Sequence, residues 1–398
     1  MSIYRQLGVE PIINACGAVT RLGGAPMPVE VLEAFHSAAG ETVSLEHLQA
    51  AASARIAAAT GTESGLVTSG AAGGLTLGAA AILTEHHLSR MAQLPYCEGF
   101  PHEFIMAREQ RSGYDHAVRA AGARLIEVGF NEQVAGAGVR RTEAWEYEAA
   151  VTPQTAGIVY VQSVDSRPAL EDVVAVAHRH DLSVLVDAAG ELPPRSNLKD
   201  IPGTEADLVV FSGGKAIRGP QSTGILCGRR NLISAATLQM LDMDDHPELW
   251  DPPKELIDRS RFEGIPRHGI GRSLKVSKEE IAALLTALDL FVSGTYDAQL
   301  PKYHRWLKQI VDGLSETHVT TCLVEPATSE QWPVLEIQVN PDIAGKSAME
   351  MCRDLRTGSP PVYVGHGSLH REMLIINPTC LNADSISVLV RQLQKTVS

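Results

Sequence analysis

The residues of this sequence that ask for a chemical explanation begin with a lysine. Residues 205–230 read EADLVVFSGGKAIRGPQSTGILCGRR, so the apolar run Leu208–Phe211 leads straight into Ser212, two glycines and Lys215. Lysine is strongly hydrated, and burial lowers its pKa toward the free amine that imine chemistry uses. The glycines let backbone approach a ligand closely, and Ser212 or the N–H groups beside it could hold a phosphate oxygen. A surface lysine in a Gly-rich turn is the plainer alternative. Upstream, LSVLVDAAG ends a nearly all-apolar run at Asp187. A carboxylate there is costly unless a cation meets it, and a protonated pyridine nitrogen is a suitable one. A helix cap or a Mg²⁺ ligand is the plainer reading. The third element is TSGAAGG, residues 68–74, opening a helical stretch. Small residues and free N–H groups at a helix start form an anion site. The loop matches neither GxGxxG nor GxxxxGK[ST], which does not favour nucleotide binding. Together, in this order, the three segments suit pyridoxal 5′-phosphate (PLP): an amine for its aldehyde, a carboxylate for its ring nitrogen, a loop for its phosphate.

The elements that must position these groups are legible in outline. Strand-like runs at Phe104–Ala107, Arg124–Val128, Gly157–Val161, Ser183–Val186 and Leu208–Phe211 alternate with helical stretches at Gly73–Thr84, Tyr114–Gly122, Glu143–Ala149 and Leu170–His180. Such alternation predicts an α/β sheet, mostly parallel and covered on both faces. The opening to about Pro28 reads as an extended arm with turns, and helical spacing follows from Val29 and over Leu45–Thr60. Glu279–Leu290 reads as an amphipathic crossover helix, with helical character again over Gln299–Leu314. Strands at Val334–Val339, Val362–Val364 and Met373–Ile376 and a closing helix at Ala383–Gln394 make a small α+β domain. The expected division is an arm and small-domain part over residues 1–40, a large PLP-binding domain over 41–275, and a crossover helix with the C-terminal small domain over 276–398.

Composition bounds the function. With 398 residues and 44% hydrophobic content, the chain can build a large domain and a smaller one. Its net charge of −13 is opposite to the basic footprint that nucleic-acid binding needs. The six cysteines are scattered without a metal-ligand cluster, which suits a reduced cytoplasmic protein and implies no metal. No signal-like opening and no apolar run of about 18 residues suggests export or a membrane.

The segments VEPIINACGAVTRLGG, TSGAAGG, VDAAGELPP, VVFSGGKAIRGPQSTGILCGR and GIGRSLKVSKEEIAALLTAL span most of the chain. In this order they resemble fold-type I PLP enzymes of the aspartate-aminotransferase-like fold. Within these they resemble the selenocysteine synthase (L-seryl-tRNA selenium transferase)-like branch, which also holds D-glucosaminate-type ammonia-lyases. The resemblance implies Lys215 as the Schiff-base lysine and Asp187 as the ring-nitrogen partner. It implies Ser69, Gly70, Ala71 and Ser212 around the phosphate, and Tyr114 or His116 as the side chain stacked on the ring. Gly269, Gly271 and Arg272 fall where such families reach the neighbouring subunit's cofactor, implying a homodimer or higher homo-oligomer. The tRNA-dependent transferases carry an additional N-terminal domain, whereas this sequence starts close to the core motif. Together with the acidic charge, this argues against a tRNA substrate.

The resemblance favours α-proton abstraction and β-elimination from a hydroxylated, possibly sugar-derived, amino acid, giving a 2-keto acid and ammonia. Racemisation or epimerisation and transamination are the alternatives, and they differ in where the proton returns. His116, His268 or Asp165 could serve as a second acid or base. A substrate carboxylate suits a bidentate arginine, for which Arg356, Arg272 and Arg218 are the candidates. His366 and His370 read as ordinary loop residues. A catalytically silent PLP-binding module is the reading of another class. A metal hydrolase built on Asp187 and Asp207 is a third, without a histidine ligand cluster to support it.

Overall fold

The computed structural model describes residues 2–130, 140–326 and 331–397. The chain forms two compact units, one of Met27–Val292 and one of Met1–Pro26 with Ser293–Ser398. The strands, in chain order, are β1 Ile13–Ala15, β2 Ser64–Ser69, β3 Glu103–Ala107, β4 Arg124–Val128, β5 Thr155–Val161, β6 Ser183–Asp187, β7 Leu208–Ser212, β8 Thr223–Gly228, β9 Val319–Val324, β10 Val334–Val339, β11 Val362–Val364 and β12 Met373–Ile376.

The larger unit is built on a seven-stranded sheet of order β2-β8-β7-β6-β5-β3-β4. All neighbours are parallel except β8, which runs antiparallel to both β2 and β7. The expected α/β sheet is therefore present and mostly parallel. Apart from the edge strand β4, its strands are buried almost throughout, β3 and β8 at every position. That explains continuous apolar runs in place of alternation. The helix Gly70–Thr84 lies on the sheet with most of its residues buried. Around it, Leu66, Leu77, Phe104, Met106, Leu185, Val210 and Leu226 form one core. Each such large side chain contributes roughly 1.5–3 kcal/mol by leaving water. The helix Leu170–Arg179 covers the sheet with Val173, Val174, Val176 and Ala177. Glu171 and Asp172 in its first turn and Arg179 in its last complement its dipole.

The smaller unit holds two sheets. Parallel pairing of β1 with β11 sets Ala15 opposite Val364, and β9, β10 and β12 form an antiparallel sheet. Ile13, Tyr303, Leu335, Met351, Val362 and Leu389 share its core. The helix Ala348–Thr357 starts with a capping box between Ser347 and Glu350.

Two features differ from the sequence reading. The units divide near residues 26 and 292, where the sequence suggested 40 and 275. The helices Val29–Ala39 and Lys278–Val292 pack against each other within the larger unit, so the presumed crossover helix belongs wholly to it. The stretch Tyr114–Gly122 is also broken. A 3-10 turn at Gly113–Asp115 precedes a short helix at His116–Ala120.

Candidate active site

The C-terminal ends of β2, β7 and β6 and the start of β8 lie on one edge of the larger unit's sheet. The register brings Thr68 opposite Gly224 on one side and Ser212 opposite Gly224 on the other. Asp187 lies opposite Val210 one strand further. The sheet thus collects in one row the three segments that the sequence left far apart.

At β2, the chain leaves the strand through Gly70, whose φ of +72° is left-handed, and enters the 15-residue helix Gly70–Thr84. Thr68 Oγ1 donates to the Gly70 carbonyl at 2.9 Å and fixes the turn. The first N–H groups of this helix, with Ser69 as N-cap, have no intrahelical acceptor and suit the anion seat expected from residues 69–71. A Cβ on Gly224 would fall 2.4 Å from the Gly70 carbonyl carbon, so β8 approaches the loop more closely than any side chain allows.

At β7, Lys215 sits on a tight loop. Gly219 N–H donates to Gly213 O at 2.9 Å, and Arg218 N–H donates to Lys215 O at 3.1 Å. Gly213 N–H is held by Thr223 O at 2.9 Å. A Cβ on Gly214 would lie 2.4 Å from Gln221 Cα, which explains the second glycine of the motif. Lys215 is half-buried.

At β6, the Asp187 carboxylate accepts the Ala189 N–H at 3.0 Å. Burial raises its pKa, while that hydrogen bond and the charge of Lys215 pull the other way. Glu191, two residues beyond Ala189, behaves similarly. Burial and the neighbouring Asp187 raise its pKa, and Lys215 lowers it. One ammonium and two carboxyl groups therefore share one electrostatic environment. Glu191 lies inside the quoted VDAAGELPP segment but was not singled out in the sequence, where only its spacing from Asp187 was visible.

The PLP fit rests on these donors. A half-buried lysine, a carboxylate lacking a full cationic partner, and a helix N-terminus beside Ser69 and Ser212 match an aldehyde, a ring nitrogen and a phosphate. Tyr114 and His116 are both exposed. His116 heads the helix His116–Ala120, which is tied to Gly70–Thr84 by Thr76 Oγ1 donating to the Ala117 carbonyl at 2.8 Å. Tyr114 lies in the preceding turn, its N–H on Ser112 Oγ.

Several sequence candidates lie elsewhere. Gly271 is buried where a Cβ would be 2.4 Å from Leu77 Cδ2 and 2.9 Å from Gln239 O, so close packing explains its bareness. Arg272 pairs with Asp242, which also takes His268 at 3.4 Å. Arg272 and Asp242 line a cavity of about 680 Å³ with Leu45, Trp250 and Ile281, and neither Lys215 nor Asp187 lines it. Arg218 has a positive φ of 62° and belongs to the Lys215 loop. Asp165 is exposed, its carbonyl taken by Arg141 at 2.7 Å. Asp207 is fully buried and binds Arg229 at 2.8 Å, His178 at 3.2 Å and the Val184 N–H at 2.7 Å. It is a structural anchor, which removes the basis of the metal-hydrolase reading. In the smaller unit, Arg356 stacks on Tyr363 at 5.2 Å and contacts His366 Nδ1 at 3.5 Å, while its Nε is buried without a partner.

Residues 137–249 match the family Aminotransferase class-V. The chain is 26% identical to D-glucosaminate-6-phosphate ammonia lyase of Salmonella typhimurium, covering 99% of this chain and 97% of that one. It is 29% identical to 5′-C-glycyluridine monooxygenase-decarboxylase of a Streptomyces species, covering 98% and 91%. L-seryl-tRNA(Sec) selenium transferase of Nitratidesulfovibrio vulgaris matches at 27% identity over 43% of this chain and 32% of its own length. Among solved structures, D-glucosaminate-6-phosphate ammonia-lyase superposes with a TM-score of 0.81 at 25% identity, over 100% of this chain and 98% of that one.

Proposed function

We propose that this chain, a PLP-dependent enzyme with the aspartate-aminotransferase-like fold of fold-type I, is a lyase acting on a hydroxylated amino acid. It removes the α-proton, expels the β-hydroxyl and releases a 2-keto acid and ammonia. One observation carries the reading beyond the cofactor: Lys215 lies among two carboxyl groups, of Asp187 and Glu191, both with pKa values raised by burial.

When bound, PLP supplies the electron sink that lets the α-carbon of an amino acid lose its proton. The residues proposed to hold it are Lys215 at its aldehyde, Asp187 at its ring nitrogen, and Ser69, Gly70, Ala71 and Ser212 at its phosphate. His116 is preferred to Tyr114 for the ring face, because its helix is tied to the one that begins at the anion seat. With its ε-amine free, Lys215 would take the proton from Cα. Glu191, its pKa raised by burial and by Asp187, is the proposed donor of the proton with which the departing hydroxyl leaves as water. The resulting enamine takes up one water and yields the 2-keto acid and ammonia, so the reaction needs no outside oxidant or reductant. Of the arginines that the sequence offers for a carboxylate, Arg356 of the smaller unit keeps an unpaired Nε, whereas Arg272 is already bound by Asp242.

A racemase needs only a proton acceptor on each face of Cα, and an aminotransferase can work with the lysine alone. A carboxyl beside the lysine, with its pKa raised by burial, is the feature an elimination uses. The D-glucosaminate-6-phosphate ammonia lyase relative supports this reading. The cytoplasmic location read from the scattered cysteines and the homo-oligomeric assembly implied by the resemblance belong to the same proposal.

The test is an ammonia and 2-keto-acid assay of the PLP-loaded protein on a panel of D- and L-β-hydroxy amino acids and amino sugar acids. The reading predicts equal amounts of both products, abolished in Lys215→Ala. Altered substrate stereochemistry without ammonia would establish a racemase. Oxygen uptake with loss of CO₂ would point instead to the chemistry named for the Streptomyces relative.

A further inference from the structure

Arg21 and Arg356 share one aromatic platform in the smaller unit. The Arg21 guanidinium lies 5.5 Å from the Tyr363 ring centroid and that of Arg356 lies 5.2 Å from it. Parallel pairing of β1 with β11 holds the two segments together, with Asn14 opposite Tyr363. Arg21 follows β1 on the 3-10 turn Thr20–Leu22, and Arg356 comes from the last turn of the helix Ala348–Thr357. Two cations on one ring repel each other unless an anion lies near both.

No such anion is supplied by the described residues. Neither arginine has a carboxylate within ion-pair distance, although Arg55, Arg111, Arg119, Arg179, Arg229 and Arg272 each have one. Cys16 also neighbours both, and its thiol is pushed up to about 11 by burial against the pull of both guanidiniums, so it is neutral at physiological pH. The Arg356 Nε, buried and unpaired, is a donor with an unmet bond. Beside Cys16, the amide of Asn377 packs onto Gly17, 2.9 Å from where a Cβ would stand. Its oxygen takes the Thr379 N–H and hydroxyl, leaving its Nδ2 hydrogens without a partner.

We propose that Arg21 and Arg356 form a paired guanidinium site, within the smaller unit, for a ligand with two anionic groups, Arg356 taking a carboxylate and Arg21 a second carboxylate or a phosphate. Guanidinium groups suit either oxyanion, since both present oxygens to a planar fork. Arg21 is then the residue that separates dianionic from monoanionic ligands.

The experiment uses amine-free probes, so that binding does not depend on chemistry at the cofactor. Lactate, succinate and 3-phosphoglycerate are titrated calorimetrically into the PLP-loaded protein, its Arg21→Gln and Arg356→Gln variants, and Arg21→Lys. Thermal melts check that each variant is folded. The wild type is expected to bind at least one of the two dianions about ten-fold or more tighter than lactate. Arg21→Gln is expected to remove that preference and leave lactate binding unchanged, Arg21→Lys to keep part of it, and Arg356→Gln to weaken all three. The tighter dianion tells phosphate from a second carboxylate. Equal binding of all three by the wild type, or an equal loss for all three in Arg21→Gln, would overturn the proposal. A preference that persists in Arg21→Gln would do so too. Failure of the lyase reading shows separately, as missing ammonia in a protein that still prefers dianions.

Discussion

Glu191 is where the lyase proposal can be tested at a single side chain. Its pKa is raised first by burial and then by Asp187. A general acid works in its protonated form, so kcat/KM for elimination should fall as pH rises through that raised pKa. Glu191→Gln should lose about 10²–10⁴-fold in rate, a usual range for a positioned acid. The remaining pH profile should lack the alkaline limb assigned to Glu191. A variant with wild-type rate and profile would remove Glu191 from the chemistry. At this scale the sequence showed part of the site. Lys215 and Asp187 stood out because a charge at the end of an apolar run needs a reason. Glu191 and Arg21 did not, because their significance lies in contacts. Glu191 shares an environment with a lysine on the loop after β7, and Arg21 meets Tyr363 through a strand pairing between distant parts of the chain.

The elements carry a different lesson. Runs rich in Val, Ile and Leu were readable as strands, and β4, β10, β11 and β12 begin and end where the pattern does. β2, with sequence SGLVTS, and β8, with TGILCG, were not read as strands, because small residues break the apolar run. Packing explains those small residues. Gly224 faces the Gly70 carbonyl, and Gly228 faces the backbone of Asp207. The composition that hides β8 is therefore what lets it insert between β2 and β7 at the anion seat. Gly224→Ala should destabilise the fold by about 1–3 kcal/mol through overpacking and weaken PLP retention. Gly190→Ala, where a Cβ meets nothing within 4 Å, should be nearly neutral by both measures. Thermal melting and cofactor dialysis report the two effects. Equal behaviour of the variants would mean that the tight approach of β8 does not shape the loop.

At the scale of the whole molecule, an acidic chain must bind acidic ligands. Against 47 acidic residues and a net charge of −13, the proposed anion sites use a helix N-terminus and a few guanidinium groups. Local donors outweigh the net charge at contact distance, whereas the overall field repels polyanions such as nucleic acid. The fold alone does not decide the reaction: two relatives, each matching nearly the whole chain, have names with different activities. Both the cofactor assignment and the lyase chemistry depend on one lysine. Borohydride reduction of the PLP-loaded protein, followed by peptide mass mapping, tests it most directly. The account predicts the reduced cofactor on the peptide that contains Lys215 and on no other. Label on a different lysine, such as Lys275 or Lys278, or no label at all, would contradict it.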